Sequence, residues 1–152
     1  MGQYGYKSGM NTSEKLMIAI MRISELYKKE CSLIFVNFGL TFSQYTVLRV
    51  LEGSEKGQNT MSNVSRVMLV SGANITGIAK RLERDGFILR KSIPQDDRVT
   101  LLEITPKGKQ TLKNIEKQKN NILEKYLVDY SIEAKQEMLS NLKKCLNRMK
   151  SG

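Results

Sequence analysis

The chain has 152 residues, with 25 Lys and Arg against 15 Asp and Glu, no His, no Trp and two Cys. This length predicts a single domain with room for an assembly extension. Without His the chain has no His general base, no Ser-His or Cys-His nucleophile and no His metal site, and two Cys cannot form a four-Cys zinc site. We therefore expect no catalytic residues, no metal and no cofactor. The sparing use of Cys indicates a reducing compartment, so we expect a cytoplasmic protein.

The net charge is +10, and the excess lies in the middle and at the end of the chain. Residues 1–55 carry six basic and five acidic side chains, residues 56–110 carry ten and five, and residues 111–152 carry nine and five. This balance favours a polyanionic partner such as nucleic acid. No apolar run approaches the length of about 18 residues that a membrane span needs, so we expect no membrane partner.

The N-terminal part of the chain predicts a long helix after an irregular lead. Residues 1–12 lack the apolar core of a signal peptide and are expected to be disordered. From residue 13 to residue 38, apolar side chains recur every three or four positions, which is typical of an amphipathic helix. Thr41 and Gln44 then form a capping box for a second helix that extends to about Gly53.

Two short helices are expected after a polar loop that covers residues 54–59. Thr60 is a suitable N-cap for the first of them, and Ser71 is a suitable N-cap for the second, which covers residues 72–85. Gly86 can end this helix because glycine adopts the left-handed conformation without steric cost.

The chain then changes from helical to β periodicity. The runs 87–91 and 99–104 flank a polar segment in which Pro94 suits the second position of a turn, so we expect a β-hairpin with a polar tip. Thr105 is the predicted cap of a fifth helix, and Ser131 is the predicted cap of a sixth.

This order of elements predicts a mainly α fold, a winged helix-turn-helix with a two-stranded β-wing and an additional helical region. We expect residues 41–110 to form a DNA-binding domain. Residues 13–40 and 111–150 are expected to form a dimerisation region, because their helices keep apolar faces that the middle of the chain is too small to cover. The alternative is an ordinary monomeric helical bundle.

The second helix of a helix-turn-helix enters the major groove with its N-terminal residues at the base edges. Here that helix begins with small and polar side chains, and Asn74 has the amide that pairs with adenine. Basic side chains further along it can contact phosphates. The candidate DNA-binding residues on this helix are Ser71, Gly72, Ala73, Asn74, Thr76, Gly77, Lys80, Arg81 and Arg84. The alternatives are that Asn74 supports the helix cap and that the cations form a solvated face.

The hairpin tip places Asp96 two residues before Arg98. We expect Asp96 to pair with Arg98 and to fix its direction, although an exposed pair of this kind is weak. A directed arginine at a narrow tip can enter the minor groove, where the negative potential attracts it. Arg90 and Lys91 at the base and Gln95 at the tip complete the candidate contacts of the wing. The alternative is a plain solvated turn.

Two segments carry a resemblance to a known family. Residues 61–88, MSNVSRVMLVSGANITGIAKRLERDGFI, resemble the helix-turn-helix of the MarR transcriptional regulators, and residues 94–108, PQDDRVTLLEITPKG, resemble that family's wing. Asp96 and Arg98 occupy the Asp-x-Arg positions of that wing. The resemblance implies a double-stranded DNA operator with an inverted repeat and a homodimer built from the first and last helices, most often a repressor.

The resemblance also implies control by a small molecule or by an oxidised cysteine. Relatives often bind lipophilic or aromatic effectors between the first, second and fifth helices, so an effector site is expected there. Its candidate lining residues in this chain are Ile23, Tyr27, Cys31, Phe42, Tyr45 and Leu48. The alternative is a packed core without a cavity.

Some features depart from the family pattern and leave other functions open. Gly72 and Gly77 stand where relatives often carry arginine or lysine, which leaves open a winged-helix interaction module that no longer binds DNA. A thiol-based redox-sensing regulator is the other alternative, but we expect Cys31 and Cys145 to be buried and inert. An enzyme is disfavoured, because the chain has neither a paired-carboxylate motif nor a Gly-rich phosphate loop.

Overall fold

The computed structural model describes residues 9–68 and 72–152, with the side chains of the second range described from residue 74 onward. The helices are α1 (Thr12–Phe35), α2 (Phe42–Glu52), α3 (Met61–Met68), α4 (Gly72–Arg84), α5 (Pro106–Leu127) and α6 (Ile132–Ser151). The strands are β1 (Gln58–Thr60), β2 (Ile88–Ile93) and β3 (Asp96–Ile104). The strands form one antiparallel sheet in the order β1-β3-β2. This is the predicted winged helix-turn-helix fold.

Local capping residues determine where the helices begin. The capping box of α2 is present, with the Gln44 amide donating to Thr41 Oγ1 at 3.2 Å and the Thr41 amide donating to Gln44 Oε1 at 2.8 Å. Ser131 Oγ caps α6 by accepting from the backbone amide of the third helical residue. Asn11 caps α1 in the same way, so the helix already includes the end of the predicted lead, of which residues 1–8 lie outside the described residues.

The predicted polar loop over 54–59 contains a third strand. Glu55–Gly57 forms a single 3₁₀ turn, and β1 then pairs with β3 so that Asn59 lies opposite Leu102. A run of three polar residues has no alternation of apolar and polar side chains that would predict a strand. Its strand conformation depends on pairing with a distant strand. The sheet therefore has three strands, one more than the predicted wing.

The hairpin strands are longer than predicted, and only Pro94 and Gln95 lie between them. The pairing register shifts between Ser92 and Ile93, so that Ile93 lies opposite Asp96. This irregularity allows β3 to begin at the predicted polar tip. The wing is thus a narrow ribbon whose end carries polar and charged side chains.

The buried core lies between α1, α2, the helix-turn-helix and the sheet. It includes Phe35 and Leu48 from the first two helices, Leu82 from α4 and Leu102 from β3, all without solvent exposure. Gly108 lets α5 approach the hairpin closely, since a Cβ there would lie 2.6 Å from the backbone oxygen of Phe87. The sheet and the helix-turn-helix therefore share one core.

The described residues divide into two compact units, one ending at Lys117 and the other covering Gln118–Gly152. In the second unit the large apolar side chains of α6 are exposed rather than buried. The exposed ones in α6 are Ile132, Met138, Leu139, Leu142, Leu146 and Met149.

No single helix in the described ranges is long and apolar enough to span a membrane. The segments Thr12–Phe38 and Phe42–Glu52 meet the length and apolarity criteria only when taken together, and a bend of 82° separates them.

Candidate nucleic-acid interface

The helix-turn-helix consists of α3 and α4. One face of α4 is buried through Ile75, Ala79 and Leu82, which fixes its position against the core. Asn74 and Lys80 lie outside that face and are exposed. The side of α4 away from the core is therefore open to a partner.

The start of α4 is only partly described. Ser71, the predicted cap, lies outside the described residues, and Gly72 and Ala73 are described as helical backbone alone. At Gly77 a Cβ would meet nothing within 4 Å, so the helix surface is bare at this position. The absence of a side chain there leaves the backbone of α4 accessible for close approach.

Three basic side chains follow along α4. Lys80 and Arg81 are exposed, and neither belongs to an ion pair within the described parts of the chain. Arg84 is bound to its neighbour Asp85, with its Nε 2.9 Å from Oδ1 and its Nη2 3.2 Å from Oδ2. This hydrogen bonding to Arg84 lowers the pKa of the Asp85 carboxyl. Among the described basic side chains of α4, Lys80 and Arg81 are therefore the two that are not paired with a carboxylate.

The structure places the two cations at the base of the wing against carboxylates. Arg90 donates from Nε and Nη2 to Glu83 Oε1 at 3.0 and 2.8 Å, and Lys91 Nζ forms an ion pair with Glu103. Hydrogen bonding to Arg90 lowers the pKa of Glu83, and hydrogen bonding to Lys91 lowers the pKa of Glu103. Both side chains are therefore held by carboxylates of the chain itself, and their contacts with phosphates stay a prediction.

The predicted pair at the wing tip is present. Asp96 Oδ1 accepts from the backbone amide of Arg98 at 3.0 Å and from its Nε at 3.2 Å. The Arg98 side chain is nonetheless 92% exposed, so the pair orients the guanidinium without covering it. Gln95 is also exposed, in the two-residue turn. The tip therefore presents a directed arginine to solvent.

A groove of ≈ 380 Å³ lies between the start of α3, the start of α4 and β3. Its lining combines hydroxyl groups, a thioether and the Arg98 side chain, and we call it the hydroxyl groove. The lining residues are Thr60, Met61, Ser62, Ser65, Ile75, Thr76, Arg98, Val99 and Thr100. Hydroxyl donors beside an arginine suit an anion such as a backbone phosphate. Sequence reasoning did not find this groove, because its residues come from separate segments and only the fold brings them together.

The predicted effector residues are divided between the core and the surface. Tyr45 and Leu48 are buried, Tyr27 and Phe42 are half-buried beside the same core cluster, and Ile23 is 66% exposed and does not join them. Around Tyr45 the packing is tight, since its ring stacks on Phe35 with the centroids 4.0 Å apart. Cys31 is buried in the same cluster. Five of the six predicted effector residues therefore belong to a packed core, and Ile23 is the one that does not.

The two thiols have different environments. Cys31 is 1% exposed, and its side chain is hydrogen-bonded with Tyr27, whose pKa is raised mainly by burial and also by that bond. Cys145 is exposed on α6. The expectation of two buried thiols is therefore correct for Cys31 and wrong for Cys145, because α6 leaves this side of its surface uncovered in the single chain.

Comparison with known proteins identifies relatives of this chain. The model of the family Transcriptional regulator SarA/Rot matches residues 29–115, which include α2, the helix-turn-helix and the hairpin. The HTH-type transcriptional regulator SarZ of Staphylococcus saprophyticus is 33% identical over 133 residues, covering 84% of this chain and 88% of that protein. These relatives are transcriptional regulators and not enzymes.

Solved structures confirm the fold. AbsC, a MarR family transcriptional regulator from Streptomyces coelicolor, superposes with a TM-score of 0.82 at 18% identity, covering 96% of this chain and 100% of that chain. Sco3205, a MarR family regulator from the same organism that was solved in complex with DNA, superposes with a TM-score of 0.79 at 16% identity, covering 94% of this chain and 91% of that chain. The arrangement of helix-turn-helix and wing is thus shared with these regulators.

Proposed function

Because the chain belongs to the SarA/Rot family of transcriptional regulators and has the MarR-type winged helix-turn-helix, we propose that it is a homodimeric repressor of an inverted-repeat operator. The DNA-binding domain in this proposal covers residues 41–110. The dimerisation region covers residues 13–40 and 111–150. A small lipophilic or aromatic molecule releases the repressor from DNA.

One observation carries the DNA-binding part of this proposal. The exposed side of α4, the hydroxyl groove and the Arg98 side chain belong to one compact unit, and Thr76 and Arg98 line the same groove. In a complex, α4 enters the major groove with Asn74 and Thr76 at base edges. Arg98 reaches the adjacent minor groove, while groove hydroxyls and Lys80 contact the phosphates between them.

The role of the backbone at the start of α4 follows from its small residues. Gly72, Ala73 and Gly77 bring few side-chain atoms to the DNA, so α4 approaches the bases closely and reads them through few contacts. DNA shape and the wing then contribute more of the specificity than in a helix rich in arginine. The alternative, an interaction module without DNA binding, is disfavoured by the net charge of +10 and by the uncompensated Lys80 and Arg81.

The homodimer is supported by apolar side chains that the single chain leaves exposed. In α1 they include Leu16, Met21, Ile23, Leu26 and Leu33, and the largest of those in α6 have been given above. Exposed apolar faces of this kind mark interaction surfaces, and a second copy covers the face of each helix in a two-fold dimer. The dimer sets the spacing of two α4 helices, which an inverted repeat must match.

The effector part of the proposal rests on the aromatic cluster between α1 and α2. Tyr27 and Tyr45 offer two hydroxyl tips among apolar side chains, a composition suited to an aromatic carboxylate. The cluster is packed in this structure, so a ligand must separate Tyr45 from Phe35 and favour a conformation that binds DNA poorly. A ligand preference of about 1–3 kcal/mol for that conformation weakens operator binding 5- to 150-fold. Control through Cys31 is disfavoured, because an oxidant must reach a thiol that is almost fully buried.

Equilibrium binding to DNA tests the proposal. The purified protein is titrated with duplexes from the region upstream of its own gene and with random duplexes of the same length, at several salt concentrations. We expect one upstream duplex to bind on the order of 1,000-fold more tightly than random DNA. Equal affinity for all duplexes would contradict a sequence-specific regulator. A panel of aromatic carboxylates is then added, and a panel that changes neither the melting temperature nor the operator affinity would assign the cluster to core packing alone.

A further inference from the structure

Met61 lies at the centre of the proposed DNA-binding surface. It is the first residue of α3, its side chain is half-buried against the core, and it also lines the hydroxyl groove. Its Sδ accepts a hydrogen bond from Thr76 Oγ1 at 3.7 Å. The thioether therefore holds a side chain of α4 that the proposed function places at the base edges.

We propose that Met61 is an oxidation site through which peroxides weaken DNA binding. This inference rests on the proposed function. Because the groove is open to solvent, a small oxidant reaches the thioether that lines it. DNA that occupies the same surface protects it.

The oxidation is a two-electron transfer of oxygen. The sulfur lone pair of Met61 attacks one oxygen of hydrogen peroxide, a new S–O bond forms and the O–O bond breaks. The departing hydroxide takes the proton of the oxygen now bound to sulfur and leaves as water. The sulfur is oxidised to a sulfoxide and the peroxide is reduced. Methionine sulfoxide reductases reverse this step, so the modification can act as a switch.

The product differs from methionine in two respects that matter here. A sulfoxide oxygen is a much better hydrogen-bond acceptor than a thioether sulfur, so the Thr76 hydroxyl turns from Sδ towards the new oxygen and is no longer available for DNA. A polar sulfoxide is also unfavourable where the methionine packs against the core cluster, which includes Ile75. Both effects act on the first turns of α4.

Other methionines provide the contrast. Met10 precedes α1 and lies outside both the proposed DNA-binding domain and the proposed dimerisation region, so its oxidation is expected to leave DNA affinity unchanged. Met10→Leu is therefore the matched control for Met61→Leu. Both variants are made in a background with Cys31→Ser and Cys145→Ser, which removes thiol oxidation from the measurement.

The test combines peptide mass spectrometry with operator affinity before and after treatment with hydrogen peroxide. In the parent and in Met10→Leu, we expect operator affinity to fall in proportion to the fraction of Met61 that is sulfoxide, reaching a loss of at least about fivefold at full conversion, as expected when one base contact is missing. Methionine sulfoxide reductase should restore it. Met61→Leu should keep its affinity within about twofold, and untreated Met61→Gln, which places a polar acceptor at the same position, should already bind weakly.

Three outcomes would overturn the inference. In the first, the operator affinity of Met61→Leu falls as much as that of the parent. In the second, Met61 is fully converted to sulfoxide and the affinity is unchanged. In the third, the affinity falls while Met61 stays unmodified. If the untreated parent binds no DNA specifically, the proposed function fails first. If the untreated parent binds but is insensitive to the sulfoxide, only the role of Met61 fails.

Discussion

The Glu83 carboxylate joins α4 to the wing through Arg90. Its Oε1 accepts from Nε and Nη2 of Arg90, and its Oε2 accepts from the Arg90 backbone amide at 3.0 Å. Thr105 Oγ1 adds a second link by donating to the backbone oxygen of Gly86 at 2.7 Å. The C-terminal end of α4 and the base of the hairpin are thus tied together. We infer that this connection sets the position of the wing tip relative to the helix.

We expect Glu83→Gln to lower the free energy of unfolding by about 0.5–1 kcal/mol at pH 7, since the pair is about one-third exposed and partly screened. Hydrogen bonding to Arg90 lowers the pKa of Glu83 below its unfolded value of about 4.3. The stabilisation is therefore complete above that unfolded pKa and is lost as the pH falls through the lower folded pKa. Chemical denaturation at pH 7 and at strongly acidic pH should show a difference between wild type and variant only at pH 7. An equal reduction at both pH values would mean that the carboxylate charge is not the cause.

Features set by nearby residues were predictable from the sequence, and features set by distant ones were not. The capping box of Thr41 and Gln44 was predicted because its two residues are three positions apart, and Gly86 takes the left-handed conformation (φ 83°) expected at a helix end. The strand β1 was missed because its conformation depends on β3. The bond between Glu83 and Arg90 was missed because a helix end, a turn and a strand start must first fold to bring them together.

The candidate site shows the same division. Asp96 and Arg98 are two residues apart, and their pairing followed from the sequence. The hydroxyl groove joins α3, α4 and β3, so no linear pattern shows it. Charge compensation of Lys91 by Glu103 likewise requires the strand register. Counting cations in a sequence therefore does not show which of them form ion pairs within the chain.

Arg98→Ala and Lys80→Ala are expected to affect DNA binding differently. Three cations per subunit, taken as Lys80, Arg81 and Arg98, neutralise about six phosphates in a dimer and give a slope of log affinity against log salt near −5. Arg98→Ala should weaken operator binding by about 1–3 kcal/mol and reduce the preference over random DNA, because a minor-groove arginine senses groove width. Lys80→Ala should weaken both DNAs equally and make the slope less negative by about one unit for each phosphate that is no longer neutralised.

Asp96→Ala tests whether the orientation of the Arg98 side chain matters for DNA binding. It frees Arg98 without removing its charge, so we expect a milder form of the Arg98→Ala result and an unchanged salt slope. The three variants are compared on operator and random duplexes across a salt series. Equal weakening on both duplexes for Arg98→Ala would make the wing a phosphate clamp, and specificity would then have to come from Asn74 and Thr76.

The combined substitution of Leu142→Arg and Leu146→Arg should produce monomers that bind DNA poorly. Both side chains are exposed on α6 in the single chain, and a buried arginine without a partner is costly in an interface. Sedimentation measures the oligomeric state at micromolar concentration. Val67→Arg, which changes an exposed apolar residue of α3, should remain dimeric. A wild-type chain that sediments as a stable monomer would remove the proposed dimer.

The thiols should be dispensable for DNA binding. A chain with Cys31→Ser and Cys145→Ser is expected to keep its operator affinity within about twofold, because neither residue belongs to the proposed DNA-binding surface. Cys31 should react with an alkylating agent only as fast as the surrounding core opens, since it is almost fully buried. Loss of DNA binding in mild peroxide that Cys31→Ser abolishes would instead identify a thiol-based sensor.

Hydroxyl-radical footprinting of the operator tests the central claim most directly, that two copies of α4 and two wings read one inverted repeat. We expect two symmetric sets of protected sugars, with the half-site centres about 10–10.5 bp or a multiple of this apart. Protection of the outer minor grooves should disappear with Arg98→Ala while protection near α4 remains. A single unsymmetric protected segment, or uniform weak protection along the duplex, would contradict the account.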